Sequence, residues 1–219
     1  MIPETSVDAQ PPGWDPRHPA GGARPGAGPR RDADPAGAAR PEAAGGGPLS
    51  ADSPAAVLQF LAAALRARAA VEVHAGSGDN ALALLAGMSA EGVLTSIDVD
   101  PDAQRRLRGL LSESGFPAGR ARLITGNPAE VLPRLTEGAY DLVVVDGGRT
   151  HYPAHLERGR RLLRPGGVIA FAGVRPGRGG PQDAQELALD ELARAVEDDE
   201  DLVPAMIPAG AGLLAVARR

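Results

Sequence analysis

The sequence predicts a doubly wound α/β domain, with a mostly parallel seven-stranded sheet, helices on both faces and an antiparallel hairpin at the C-terminal edge. Three observations carry this. Short apolar runs alternate with amphipathic stretches from residue 49 onward, an order that demands crossover helices and parallel strands. Residues 140–146 (Tyr-Asp-Leu-Val-Val-Val-Asp) are almost continuously apolar, as in a parallel strand covered on both faces. The last two runs, residues 202–207 and 213–217, are joined only by a short loop containing Gly210 and Gly212. That is a hairpin connection, and it implies one antiparallel edge strand.

Residues 1–48 are dominated by Pro, Gly, Ala and Arg, too little apolar surface to offset the entropy of ordering, so this segment is expected to be a disordered tail. Trp14 has no apolar neighbours to form a binding motif, and Arg30 and Arg31 are offset by Asp32 and Asp34. The domain spans residues 49–219. Ser53 and Pro54 start a helix, with Val57, Leu58, Leu61 and Leu65 on its buried face. A strand around residue 71 runs into a glycine turn and a helix beginning near Asp79, and a second strand covers residues 93–99. Asp100 and Pro101 start the next helix, whose apolar face is Leu107, Leu110 and Leu111 and whose end is Gly115. Residues 122–125 form a short strand, and Asn127 and Pro128 begin a helix that Pro133 distorts. A helix over residues 153–163 is followed by the turn Arg164-Pro165-Gly166-Gly167 and a strand over residues 168–174. A glycine-rich loop, residues 175–181, precedes a long helix over residues 182–197.

Composition narrows the chemistry. The chain of 219 residues carries a formal charge of −5, so no global basic field recruits nucleic acid. It contains no Cys, which excludes disulfides and thiolate catalysis, and no Lys, which excludes a lysine general base. Neither an apolar run long enough to span a bilayer nor a signal-peptide pattern is present, so no membrane partner is expected and the cytoplasm is the default location.

Residues 71–80 (Val-Glu-Val-His-Ala-Gly-Ser-Gly-Asp-Asn) organise the site. Gly76 and Gly78 allow a tight turn and close approach of a ligand to the backbone. Asp98 ends the next strand, placed to accept hydrogen bonds from ribose hydroxyls, a Rossmann-like arrangement. The turn has no third glycine for a dinucleotide fingerprint, and the terminal hairpin also argues against an NAD-dependent oxidoreductase.

Residues 71–80, 94–101, 123–135, 140–152 and 162–168 occur in the order and spacing of a known family. The chain from residue 49 resembles the class I S-adenosylmethionine-dependent methyltransferases, and among them the small bacterial O-methyltransferases of the catechol and caffeoyl-CoA type. The resemblance implies S-adenosyl-L-methionine as cofactor, bound by Glu72, His74, Ala75, Gly76, Gly78, Asn80, Asp98, Asn127, Pro128 and Asp146. Asn80 would contact the methionine carboxylate, Asp98 the ribose, Asn127 and Pro128 the adenine, and Asp146 the amino-acid end or a metal. Structural alternatives stay open, since Glu72 could pair with a nearby arginine and Asn127 could simply cap a helix.

The chain departs from that pattern at informative positions. Of the metal ligands used by the metal-dependent relatives only Asp146 remains; the other two positions are Ala172 and Gly173. Mg²⁺ needs an octahedral set of oxygens, so no intact metal site is expected. Arg149 stands where a lysine base is common, and a guanidinium stabilises an oxyanion without accepting its proton. His151 is a candidate substitute base, with a plain surface histidine as the alternative, so Asp146, Arg149 and His151 are the catalytic candidates. The expected function is methyl transfer to a small hydroxylated acceptor, with a homodimer among the implied arrangements. The alternative is a catalytically degenerate cofactor-binding protein.

Overall fold

The computed structural model describes residues 50, 52–174 and 183–219. The expected tail with Trp14, Arg30 and Arg31, the loop over residues 175–181, and Gln182 lie outside the described residues. The Ser53 hydroxyl accepts the Ala56 N–H at 3.1 Å and opens α1 (Pro54–Ala64). Leu58 and Ala62 are its buried ridge, while Val57, Leu61 and Leu65 are partly buried. There follow β1 (Ala69–Val73), α2 (Asp79–Gly87), β2 (Val93–Asp98), α3 (Pro101–Glu113), β3 (Ala121–Thr125) and α4 (Pro128–Val131). Gly115 takes φ +75° after α3, and Pro133 turns the end of α4 into a 3₁₀ turn, both as the sequence requires. The chain continues through β4 (Tyr140–Val145), α5 (Tyr152–Leu162), β5 (Leu163–Ala172), α6 (Ala184–Glu197), β6 (Leu202–Ile207) and β7 (Leu213–Arg218).

The sheet order is β3-β2-β1-β4-β5-β7-β6, with β1 to β5 parallel. The chain winds outward from β1 through β2 to β3, then crosses back to β4 and winds the other way. A crevice therefore opens above the C-terminal ends of β1 and β4, where open α/β sheets bind ligands. Alternate strand residues feed two cores. Ala70, Leu142, Val144, Val168, Ala170 and Ala215 pack beneath α1, α2 and α3. Val71, Val143, Val145, Ile169, Phe171 and Val216 face the side of α5 and α6, where Leu156, Leu162, Leu192 and Val196 meet them. Each fully buried Leu, Ile or Phe contributes roughly 1.5–3 kcal/mol.

Two details differ from the sequence expectation. The antiparallel strand is β7, which lies one place in from the edge, between β5 and β6. Leu213, Leu214, Ala215 and Val216 are buried, whereas β6 exposes Val203 and Met206 and contains Pro204, which has no N–H for a second ladder. The second difference is in β5, where pairing steps from Tyr140↔Leu163 to Leu142↔Val168. The expected Arg164-Pro165-Gly166-Gly167 turn is thus a bulge inside the paired region, with Gly166 at φ +75°.

Asp141 fixes the end of the sheet away from the crevice. Its Oδ2 accepts the N–H groups of Arg68 and Ala69, at 2.7 and 2.9 Å, and its Oδ1 accepts Arg164 Nε at 2.6 Å. Burial alone raises the carboxyl, but those three donors outweigh it and hold Asp141 below the usual carboxylate range.

Helix contacts set a testable contrast between two glycines. A Cβ at Gly87 would lie 2.2 Å from the Gln59 carbonyl oxygen of α1, whereas one at Gly109 in α3 meets nothing within 4 Å. Gly87→Ala is expected to destabilise the fold by about 1–3 kcal/mol through overpacking. Gly109→Ala should stabilise it by up to about 1 kcal/mol through helix propensity. Urea unfolding midpoints that move the same way in both variants would contradict this packing.

Candidate functional site

Beyond Val73 the backbone turns sharply. His74 has φ +68°, uncommon for a residue with a Cβ, and its N–H is bonded to the Ile97 carbonyl at 2.8 Å. The Ala75 N–H donates to Asp98 Oδ2 at 2.8 Å, and Asp98 Oδ1 accepts the Asp100 N–H at 2.9 Å. Gly76 follows at φ +53° with open space on its side-chain side. Gly78 is required by its backbone, at φ +90°, and a Cβ there would also press on Leu110 Cδ1 at 2.9 Å. Side-chain oxygens of Ser53, Asp100, Asn127 and Asp183 cap α1, α3, α4 and α6, but α2 starts at Gly78 with no side-chain cap. Its first-turn N–H groups are therefore left for an anionic ligand.

Beneath this turn Glu72 is fully buried. Its Oε2 accepts the Ser96 hydroxyl at 2.9 Å, and its Oε1 has no partner. The structure thus gives Glu72 a serine, not an arginine. Burial pushes its carboxyl up to about 8; the Ser96 hydrogen bond opposes this, while the charges of Asp146 and Asp98 add to it.

The β4 side supplies the facing groups. Asp146 is exposed; its N–H is bonded to the Val73 carbonyl at 3.1 Å and its Oδ2 accepts Asn80 Nδ2 at 2.7 Å. Gly147 and Gly148 follow at φ +128° and +65°, and the His74 ring lies where their side chains would be, at 3.5 and 3.0 Å from the missing Cβ positions. Arg149 lies over Gly173 at the end of β5, with Nη2 2.6 Å from the point a Cβ would occupy. The buried Tyr152 hydroxyl donates to the Ala172 carbonyl at 2.7 Å and accepts the Gly147 N–H at 3.3 Å, tying the β4 and β5 ends together. Burial and the Asp146 charge raise the Tyr152 phenol, against the Gly147 N–H and the Arg149 guanidinium.

Glu72, His74, Ala75, Gly76, Gly78, Asn80, Asp98, Asp146 and Arg149 thus meet at one edge of the sheet. Asn127 sits above β3 on that same edge, but its Oδ1 is used to cap α4 through the Ala129 N–H at 3.0 Å, and Pro128 is buried behind it. His151 is exposed, 3.2 Å from the Thr150 hydroxyl, and its ring centroid is 6.2 Å from that of His155. Among the described residues no hydrogen bond joins His151 to Asp146 or Arg149. Ser96, Tyr152 and His155 were not singled out by the sequence. Ser96 had a signal, lying two residues before Asp98 and thus on the same side of β2. His155 had one too, one helical turn after His151. Burial, with His74 and His151 nearby, lowers His155 to about 4, so it is neutral at working pH. The Tyr152 bridge had no local signal.

The expectation of no intact metal site rests on three positions. Asp146 already accepts Asn80, the remaining ligand positions are Ala172 and Gly173, and a guanidinium lies beside the latter. Among the described residues no three His, Cys, Asp or Glu side chains form a metal-binding group.

Glu72 sets a pH signature. Its folded-state value of about 8 exceeds the ordinary 4.5, so the folded protein binds more protons than the unfolded chain between those limits. Stability from this group is full below about 4.5 and is lost as pH rises toward about 8. Glu72→Gln is expected to flatten the fall in Tm of the ligand-free protein across that window and to raise Tm at its alkaline end. Parallel Tm profiles for variant and wild type would refute a buried, proton-holding Glu72.

Comparison with known proteins gives a consistent family. The sequence pattern of the O-methyltransferase family matches residues 49–219. A protein of Mycobacterium sp. (strain KMS) named "Putative O-methyltransferase" is 46% identical over 167 residues, covering 74% of this chain and 76% of its own. A Corynebacterium glutamicum crystal structure superposes with a TM-score of 0.70 at 26% identity, covering 75% of this chain and 79% of the other. The Bacillus cereus O-methyltransferase in complex with SAH superposes with a TM-score of 0.68 at 17% identity over 76% and 82% of the two chains, a likeness of fold. With a family match across the whole domain and a relative this similar, the chain belongs to the O-methyltransferase family.

Proposed function

We propose that this protein transfers the methyl group of S-adenosyl-L-methionine to the hydroxyl oxygen of a small acceptor, without a divalent metal ion. The observation that carries this reading is the fully buried Glu72, with one oxygen unpartnered, beneath a ligand-ready turn at the point where the sheet reverses its winding. An orphaned buried acceptor next to an uncapped helix start and an open glycine suits a ligand bearing an amine, a carboxylate and a ribose. Asn80 and Asp146 would hold the amino-acid end, Asp98 the ribose, and Asn127 and Pro128 the adenine, with His74 packed against the cofactor.

The bound cofactor supplies an electrophilic methyl on a sulfonium. The acceptor oxygen forms the new C–O bond as the C–S bond breaks, and sulfur keeps the electron pair. The residues of this chain have to align the two partners and dispose of the hydroxyl proton. Alignment supplies much of the acceleration. His151, exposed at the β4 end, is the proton acceptor in this reading, and Arg149 faces the acceptor oxygen. No helix among the described residues is long and apolar enough to cross a membrane, which suits a small-molecule acceptor met in water. A cytoplasmic homodimer, in which the second chain completes the acceptor side, belongs to the same reading.

Two Asp98 variants test the cofactor assignment, read by calorimetry with S-adenosylmethionine and, as control, NAD. Asp98→Ala should weaken S-adenosylmethionine binding by roughly 1–3 kcal/mol, from lost ribose contacts and a loosened turn. Asp98→Asn, which keeps an oxygen for the Ala75 N–H, should lose less. Binding of NAD in place of S-adenosylmethionine would sink the proposal. Cofactor binding with no turnover on a panel of phenols and catechols would favour the degenerate binding protein.

A further inference from the structure

We propose that the Arg149 guanidinium is the acceptor-binding cation of this site, and that it selects hydroxyl acceptors already ionised in water, namely phenols made acidic by electron-withdrawing substituents. This inference rests on the methyl-transfer reading above.

Arg149 opens a 3₁₀ turn three residues beyond Asp146 and is partly exposed, with its guanidinium over Gly173 at the ends of β4 and β5. Among the described residues it forms no salt bridge; the nearest acid in sequence, Asp146, accepts Asn80 instead. Its guanidinium reaches the Tyr152 hydroxyl, and with no carboxylate partner the rest of its five N–H donors can meet a ligand.

The residue beneath it is matched to that placement. Gly173 has φ +69°, and its N–H is fixed to the Gly212 carbonyl at 2.8 Å. Asparagine tolerates such a left-handed backbone, so the backbone alone does not demand glycine. The present guanidinium position uses the missing Cβ, which would fall 2.6 Å from Nη2 and 3.3 Å from both Cζ and Nε, so a side chain there would displace the guanidinium. Tyr152 braces the same corner by holding the Ala172 carbonyl. Arg149 and Gly173 thus fit one another and place a positive charge at the ends of β4 and β5.

Its chemistry sets the substrate class. A guanidinium binds an oxyanion through a planar fork of N–H donors and cannot take a proton from a neutral hydroxyl. Of the neighbouring groups, Asp146 is tied to Asn80, Glu72 is buried below the turn, His155 is buried and neutral, and the exposed His151 is called on only by an acceptor that arrives with its proton. An acceptor that has lost its proton to water before binding asks for no base at the transfer step, because its oxygen forms the C–O bond with a lone pair already free.

The test uses 4-nitrophenol, whose ionised form is coloured, with the full-length protein saturated with S-adenosylhomocysteine at a pH just below the phenol's own pKa. Wild type should increase the ionised fraction, unchanged by EDTA or added Mg²⁺. Arg149→Gln should abolish the increase and raise the acceptor KM about tenfold or more, the value of one charge-assisted contact. Arg149→Lys should restore part of both. Gly173→Asn, which crowds the guanidinium while leaving Arg149 in the sequence, should reduce the increase as well. The proposal is overturned if 4-nitrophenol fails to bind, if Arg149→Gln ionises it as wild type does, or if ionisation needs a divalent ion. S-adenosylhomocysteine binding, followed by calorimetry in every variant, separates this from the parent reading: its failure in wild type overturns the function proposed above, and its retention alongside lost ionisation supports the role of Arg149.

Discussion

Asp98 accepts the Ala75 N–H with one oxygen and the Asp100 N–H with the other, and the geometry of the site hangs on that pair of bonds. Three residues within five, His74, Gly76 and Gly78, take positive φ, and a backbone so far from its favoured regions needs an external hold. Asp98 supplies it from the neighbouring strand. The same carboxylate shapes the start of α3 through Asp100, whose own oxygen caps that helix at Asp102. A change at Asp98 therefore acts on the turn as well as on any ligand, which is why amide and alanine substitutions carry different information.

The acids of the sheet divide by the partners they find. Asp141 has three donors at the rear edge, with both oxygens engaged, and they favour its ionised form. Asp146, at the other end of the same strand, has one side-chain donor among the described residues, Asn80. Glu72 has a single hydroxyl and an orphaned oxygen in full burial, and it keeps its proton instead. Saturation at one edge and deficit at the other locate the ligand crevice independently of any glycine motif.

Much of this was legible in the sequence for physical reasons. Continuous apolar runs and helical spacing fixed the layers, and the short loop around Gly210 fixed the hairpin. Proline and cap residues such as Ser53, Asp100 and Asn127 set helix starts to within a residue. Which hairpin strand lies inside was less visible, because it depends on comparing exposure of β6 and β7, with Pro204 the one local clue. Of the site, the residues contributed by strand ends were readable, since strand period and topology place them together. The Tyr152 bridge and the approach of Arg149 to Gly173 were not, because each joins segments about twenty residues apart through side-chain reach, which no periodicity encodes.

The absence of lysine from the chain turns a compositional trait into a chemical constraint. Every side-chain cation other than a protonated histidine is a guanidinium, so the β4 loop can offer charge but not a basic amine. Of the three histidines near the crevice, His155 is buried and neutral, His74 is packed over Gly147 and Gly148 in a left-handed backbone, and only His151 is exposed to take up a proton. A site built this way is strong in fixed positive charge and weak in bases. Such a site favours an acceptor whose proton is easily lost, because the barrier that a base would otherwise lower is already met by the acceptor's own acidity.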